Sequence, residues 1–238
     1  MIFLCDLDNT LIYSYKHRLP NDICVEVYKD GKLLSFMTAA SIKKLNALNK
    51  QHLFIPVTSR SLEQYNRIKL GFTPKYGVIE NGARLITDGV IDSHWGAETA
   101  RLLSRTMPLI PRLFNVISSD FDRYYVSDVR IVEDYFVFGK WTDTVKCDAA
   151  LRGVADDTLF DIFTVGNKFY IMPKLLSKGT ATNRIRQFLN GSGNRQKIIA
   201  AGDSPMDTPM LKAADIPYKA VNGQCAEAML DFILNLKT

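Results

Sequence analysis

Two aspartates, Asp6 and Asp8, close the first apolar run of the chain in the stretch Asp6-Leu7-Asp8-Asn9. Met1 to Cys5 reads as a buried strand, and side chains two positions apart on a strand share a face. Carboxylates that close repel each other unless a cation or a shared proton compensates them. Thr10 follows, and then an apolar stretch. A strand, an acidic pair and a tight turn make a candidate site for a metal ion and a phosphate group. Three further polar motifs recur at expected strand ends or helix starts: Thr58, Lys178 and the pair Asp203/Asp207. In open α/β sheets, ligands bind outside the carboxyl ends of the strands. Each motif alone has a plainer role as a cap, a turn or a solvated lysine. All four in one order, with a domain-sized gap before Lys178, favour a common site.

Phosphate monoesters are dianionic and hydrolyse very slowly in water. Attack by a carboxylate divides that reaction into two easier steps through an aspartyl-phosphate. Two anions must then meet, which calls for a cation. Mg²⁺ prefers oxygen ligands and keeps several waters. Asp6 and Asp203 are the candidate carboxylate ligands, with the main-chain carbonyl of Asp8 as a third. The Thr58 hydroxyl and the Lys178 ammonium are candidates for holding the phosphoryl oxygens. Asp8 is placed to protonate the leaving alkoxide and then to activate water. Asp207 is expected to orient Lys178 or a metal-bound water. Ser59 and Arg60, directly after Thr58, are further candidates for substrate contact; for Arg60 a helix-surface salt bridge is the alternative.

Several elements must position these groups. Residues 1–6 form the first expected strand. Cys24–Tyr28 and Lys32–Met37 flank Lys29-Asp30-Gly31, and Asp-Gly between such runs signals a hairpin. That hairpin follows the acidic motif closely enough to overhang it. Thr38 suits the N-cap of a helix over Ala39–Lys50. His52–Val57 is a second strand running into Thr58, Leu62–Leu70 a helix, and Tyr76–Ile79 a third strand before Glu80-Asn81-Gly82-Ala83. Strand alternating with helix argues for a parallel sheet covered on both faces. The rhythm changes at Arg84. Residues 95–117 read as helical, Tyr124–Val129, Asp134–Gly139 and Asp161–Met172 as strands with tight turns, and Asp143–Arg152 as a helix. The first pattern returns after Pro173, with a helix at Gly179–Leu189, a strand at Lys197–Ala201 entering Gly202-Asp203-Ser204, a short helix at Thr208–Ala214, a short strand at Pro217–Val221 and a closing helix at Ala226–Leu236. The expected fold is α/β: a Rossmann-like parallel-sheet core over 1–83 and 174–238, with an α+β cap inserted at 84–173.

The bulk numbers agree with a globular protein. Of 238 residues, 47% are hydrophobic and 23% charged, with a net charge of +5. The basic excess is scattered, which suits a small anionic substrate and does not make a nucleic-acid groove. Cys5, Cys24, Cys147 and Cys225 form no C-x-x-C pair, and His17, His52 and His94 follow no ligand spacing, so zinc is not expected. No apolar run reaches the roughly 18 residues that span a bilayer. With a core strand at the start and no secretory pattern, the expectation is a cytoplasmic protein with no membrane partner.

Asp6-Leu7-Asp8-Asn9-Thr10, Thr58-Ser59-Arg60, Ser177-Lys178-Gly179-Thr180 and Gly202-Asp203-Ser204-Pro205-Met206-Asp207 resemble the four motifs of the haloacid dehalogenase superfamily. Asn81-Gly82-Ala83 and Met210-Leu211 look like its Cof-type branch with a C2B cap, in the style of the sucrose-phosphate and mannosyl-3-phosphoglycerate phosphatases. The resemblance implies Asp6 as nucleophile, Asp8 as general acid/base, Thr58 and Lys178 as phosphate binders, Asp203 as a Mg²⁺ ligand and Asp207 in support. It implies hydrolysis of a small phosphorylated metabolite, a sugar phosphate first. A sugar phosphomutase or other phosphotransferase on the same core, and a catalytically impaired phospho-ligand binding protein, are the alternatives. The chain departs from the pattern at Asn9, usually glycine though asparagine in the sucrose-phosphate type, and at Met206, often asparagine.

Overall fold

The computed structural model describes residues 1–189 and 195–236. It begins with β1 (Ile2–Cys5), β2 (Tyr13–Ser14), β3 (Ile23–Val27), β4 (Leu33–Met37), helix α1 (Ala39–Gln51), β5 (Leu53–Pro56), α2 (Leu62–Asn66), β6 (Tyr76–Ile79), β7 (Arg84–Thr87) and β8 (Val90–Ile91). The middle holds α3 (Ser93–Leu102), α4 (Ile110–Ser118), α5 (Phe121–Tyr124), β9 (Val126–Val132), β10 (Phe136–Trp141), α6 (Thr144–Arg152), β11 (Phe160–Val165) and β12 (Lys168–Pro173). The chain then returns with α7 (Lys178–Leu189), β13 (Ile198–Gly202), α8 (Thr208–Ala213), β14 (Ile216–Lys219) and α9 (Ala226–Leu234). Two compact units result: Met1–Asp92 together with the chain from Lys178 onward, and Ser93–Ser177. No helix among the described residues is long and apolar enough to cross a membrane.

The first unit is built on a parallel sheet in the order β14-β13-β1-β5. All four residues of β1 and all five of β13 are buried. Such unbroken apolar runs are what a strand covered on both faces requires. Phe3, Cys5, Phe54, Ile199 and Ala201 form one core with Leu45 and Leu48 of α1 and Met229, Leu230 and Ile233 of α9. The Phe3 and Phe54 rings lie 5.6 Å apart, and Phe54 meets Phe72 edge-on at 5.9 Å. The Thr38 hydroxyl accepts the Ser41 N–H at 3.0 Å and caps α1, as its position suggests. Strands β3 and β4 form the expected hairpin across Asp30-Gly31, with Gly31 at a positive φ of 83°.

Three expectations need correction. The helix after Thr58 stops at Asn66 rather than Leu70. Ser61 and Gln64 close a capping box at its start, but the Lys69 N–H bonds to the Val25 carbonyl at 2.8 Å and Ile68 bridges Glu26. Pairing with the hairpin thus takes the backbone that a longer helix would use. Strand β6 touches the parallel sheet at one bridge, Val57 to Val78, and makes its full ladder antiparallel with β7. β7 and β8 therefore group with the first unit, although they lie beyond the expected boundary at residue 83. Residues 95–117, read as helical, are not helical throughout: α3 ends at Leu102 and α4 begins at Ile110. Pro108 falls in the break and Pro111 in the first turn of α4, where its missing N–H costs nothing, whereas a continuous helix would need the N–H of both.

The second unit is an antiparallel sheet in the order β11-β12-β10-β9. Ile110, Leu113 and Ile117, spaced to share one face of α4, pack in a core with Val137, Phe169 and Ile171. Asp143 caps α6 by accepting the Lys146 N–H at 3.1 Å.

Phe54 bridges the strand core and the segment after α2. Phe54→Ala is expected to lower the free energy of unfolding by about 3–5 kcal/mol. Urea denaturation checks this; a loss below about 1 kcal/mol would show that Phe54 does not fill the core.

Candidate active site

The strand register brings the motifs to one edge. Cys5 lies opposite Pro56 on one side and Ala201 on the other. Asp6, Thr58 and Asp203 therefore leave the sheet at its carboxyl end, one or two residues beyond their strands. The Asp6 N–H still bonds to Ala201 O at 2.9 Å, and the Val57 N–H to Cys5 O at 2.8 Å. After Asp6 the chain coils back on itself. The N–H groups of Leu11 and Ile12 both reach the Leu7 carbonyl at 2.9 Å, and Asn9 takes a φ of 61°. Asparagine tolerates that left-handed conformation, which accounts for its presence where glycine is usual. The turn buries Thr10, whose hydroxyl donates to Asp203 Oδ1 at 3.0 Å.

Lys178 is the first residue of α7, where its charge opposes the helix dipole. It is nevertheless buried, with Nζ 2.5 Å from Asp6 Oδ1 and 2.5 Å from Asp207 Oδ1. The other oxygen of Asp207 accepts the Ser204 N–H at 2.9 Å and the Ser204 hydroxyl at 2.6 Å. Gly202 makes room: a β-carbon there would collide with the Asp207 side chain. Lys178 thus keeps a fixed partner without a polar residue at 206, where Met206 is buried. Lys174, the other lysine near this helix, lies in the second unit, 3.9 Å from Asp161.

Thr58 is buried. Its N–H bonds to Val78 O, its carbonyl accepts the Asn81 N–H, and its hydroxyl oxygen accepts the Arg60 N–H at 3.2 Å, leaving the O–H to donate elsewhere. Ser59 is half-buried beside it. Arg60 turns to Asp8 instead of standing on a helix surface. Its Nε and one terminal nitrogen hold both Asp8 oxygens at 2.8 Å, and the other terminal nitrogen holds Glu26 Oε1 at 2.8 Å.

The electrostatics are unbalanced. Burial pushes the Asp6 carboxyl up to about 8, against the pull of Lys178 and with help from Asp207 and Asp8. Burial also raises Asp203. Asp207 shifts the other way: desolvation opposes its charge, but Lys178 and the two Ser204 donors outweigh it. Lys178 is held charged because Asp207 and Asp6 outweigh its own desolvation. One ammonium therefore faces three carboxylates, Asp6, Asp203 and Asp207, each with an oxygen within 4.8 Å of the others. The donors are all oxygen, and the upward shifts of Asp6 and Asp203 mean that one ammonium does not compensate full ionisation of the three, which is the chemistry of a hard divalent cation site. Among the described residues this is the one acidic, histidine or cysteine group so placed. Thr10 and Glu26, which the sequence reading did not single out, prove to brace Asp203 and Arg60.

A family model of haloacid dehalogenase-like hydrolases matches residues 123–226, a span that carries Lys178, Asp203 and Asp207. The fold places Asp6 from outside that span against Lys178. Over that span the chain is similar to the haloacid dehalogenase-like hydrolases. It is 21% identical over 190 residues to phosphoglycolate phosphatase 2 of Saccharolobus solfataricus, covering 76% of this chain and 69% of that protein. In fold it is similar to the sucrose-phosphatase of Synechocystis sp. PCC6803, solved with sucrose and phosphate, with a TM-score of 0.60 and 14% identity over 98% of this chain and 97% of that one. It is also similar to the C-terminal domain of C. albicans trehalose-6-phosphate phosphatase, with a TM-score of 0.66 and 11% identity over 100% and 93% of the two chains.

Removing one partner of a buried ion pair leaves its counter-charge stranded. Lys178→Met in metal-free buffer is expected to cost about 3–5 kcal/mol of stability. Chemical denaturation monitored by circular dichroism measures it; an unchanged midpoint would mean that Lys178 is not the compensating charge.

Proposed function

We propose that this protein is a Mg²⁺-dependent phosphatase that removes the phosphoryl group from a small phosphorylated metabolite, a sugar phosphate foremost, through an aspartyl-phosphate on Asp6. The convergence of Asp6, Asp203 and Asp207 on Lys178 at the carboxyl ends of β1 and β13 carries this reading. Asp6, Asp203 and the Asp8 carbonyl would hold the cation, which supplies charge neutralisation so that an anionic nucleophile and a dianionic ester can approach. Asp6 attacks phosphorus, and the bond from phosphorus to the ester oxygen breaks. Asp8 gives its proton to the departing alkoxide. It then takes a proton from water as that water attacks the phosphorus of the aspartyl-phosphate, releasing inorganic phosphate and restoring Asp6. Lys178 and the Thr58 hydroxyl hold the phosphoryl oxygens, and Ser59 lies next to them. Arg60 serves by gripping Asp8. The family and the names of similar proteins, with phosphoglycolate, trehalose 6-phosphate and sucrose phosphate among them, support a phosphate monoester and favour the sugar class.

A panel of p-nitrophenyl phosphate and sugar phosphates, assayed with and without Mg²⁺, tests the proposal. Wild-type protein is expected to release phosphate only with the cation. Asp6→Asn is expected to lose at least about a thousandfold in turnover while keeping its circular dichroism and melting temperature. Activity retained in clean Asp6→Asn protein would overturn the assignment.

A further inference from the structure

Glu26 is a charged residue in a hairpin strand, where alternation would turn it to solvent. Its relative exposure is instead 2%, and its neighbour Val25 is buried as well. The strand breaks register on both sides of Glu26. Such irregularities re-aim a side chain, and this one aims a carboxylate inward. There it gathers three donors. The Ser35 hydroxyl reaches Oε2 at 2.6 Å, and Arg60 and Arg67 reach Oε1 at 2.8 and 3.1 Å. Burial alone would neutralise the group; the hydrogen bonds from Arg60, Ser35 and Arg67 together hold it below the ordinary carboxylate range. The bridge from Glu26 to Ile68 and the bond from Lys69 N to Val25 O pin the hairpin against the segment that bears Arg67.

The Arg60 guanidinium is planar and forked, so fixing one terminal nitrogen fixes the direction of the other two. Those two grip both oxygens of Asp8, whose side chain is 52% exposed, and so set the plane of its carboxylate. We infer that Glu26 is a positioning residue: acting through Arg60, it holds the Asp8 carboxyl in the orientation that delivers a proton to the leaving oxygen. The inference rests on the phosphatase reading above. Glu26 touches neither substrate nor reacting atoms, and it makes the hairpin part of the catalytic framework.

The leaving group separates positioning from mere support. p-Nitrophenolate departs without a proton, whereas a sugar alkoxide needs one. kcat/KM reports events up to the first irreversible step, here transfer of the phosphoryl group to Asp6. The test compares kcat/KM for p-nitrophenyl phosphate and for the sugar phosphate that the wild type cleaves fastest. Glu26→Gln is expected to lose roughly tenfold or more on the sugar phosphate and less than about threefold on the aryl ester. In an Asp8→Asn background it adds no further loss on the sugar phosphate. Ser35→Ala, which removes one donor and leaves every charge in place, is expected to shift the two substrates in the same sense if Glu26→Gln does not fold. Equal losses on both substrates, or no loss on either, would overturn the positioning role while leaving the phosphatase standing. A wild type that cleaves neither substrate with Mg²⁺ would overturn the phosphatase reading and this inference with it.

Discussion

The Lys178 ammonium, buried between Asp6 and Asp207, is the interaction around which the rest of the first unit is arranged. A lysine at a helix N-terminus works against the helix dipole, and burial adds a desolvation penalty. It is tolerable only because two carboxylates meet it. For that, β1 and β13 must end in register, α7 must start at their edge, and residue 202 must lack a β-carbon so that Asp207 can tuck beneath. The compensation is incomplete by design of the donor set: Asp207 is satisfied by three donors, Asp6 by the lysine, and Asp203 by Thr10. Asp6 and Asp203 are left with raised affinity for a proton, which a divalent ion would displace.

A second, more exposed network stands beside the first. Asp8 belongs to it through Arg60, and Glu26 and Arg67 complete it. Two carboxylates two residues apart thus fall under different cations. Asp6 is held in a buried pocket by an ammonium, a point charge that does not constrain its plane. Asp8 is held at the rim by a bidentate fork, which does. That division matches the geometry wanted of a nucleophile that must reach phosphorus and of a proton carrier that must meet a leaving oxygen from a set direction.

Much of this was legible in the sequence. The acidic pair, Thr58, Lys178 and Asp203/Asp207 could be read because strand ends in a parallel sheet share an edge, so motifs far apart in the chain have one place to meet. The hairpin was visible in Asp30-Gly31 and the start of α1 in Thr38, since both depend on local chemistry. What escaped depends on partners distant in the chain. The early end of α2 follows from Lys69 bonding to Val25. The antiparallel alliance of β6 with β7 left it one parallel bridge to the sheet. Glu26 lay in a strand whose alternation puts it outside, and no local signal announces a register break. The split of residues 95–117 was legible in Pro108 and Pro111, and the apolar periodicity on either side masked it.

The most direct measurement is a chemical trap of the covalent step. Protein turning over p-nitrophenyl phosphate with Mg²⁺ is acid-quenched, reduced with borohydride and cut with trypsin, and the peptide Met1–Lys16 is sequenced by mass spectrometry. An aspartyl-phosphate on Asp6 leaves homoserine at position 6 and nowhere else in the chain. An unreduced peptide from protein that is visibly releasing phosphate, or homoserine at Asp8, Asp203 or Asp207 instead, would contradict the account.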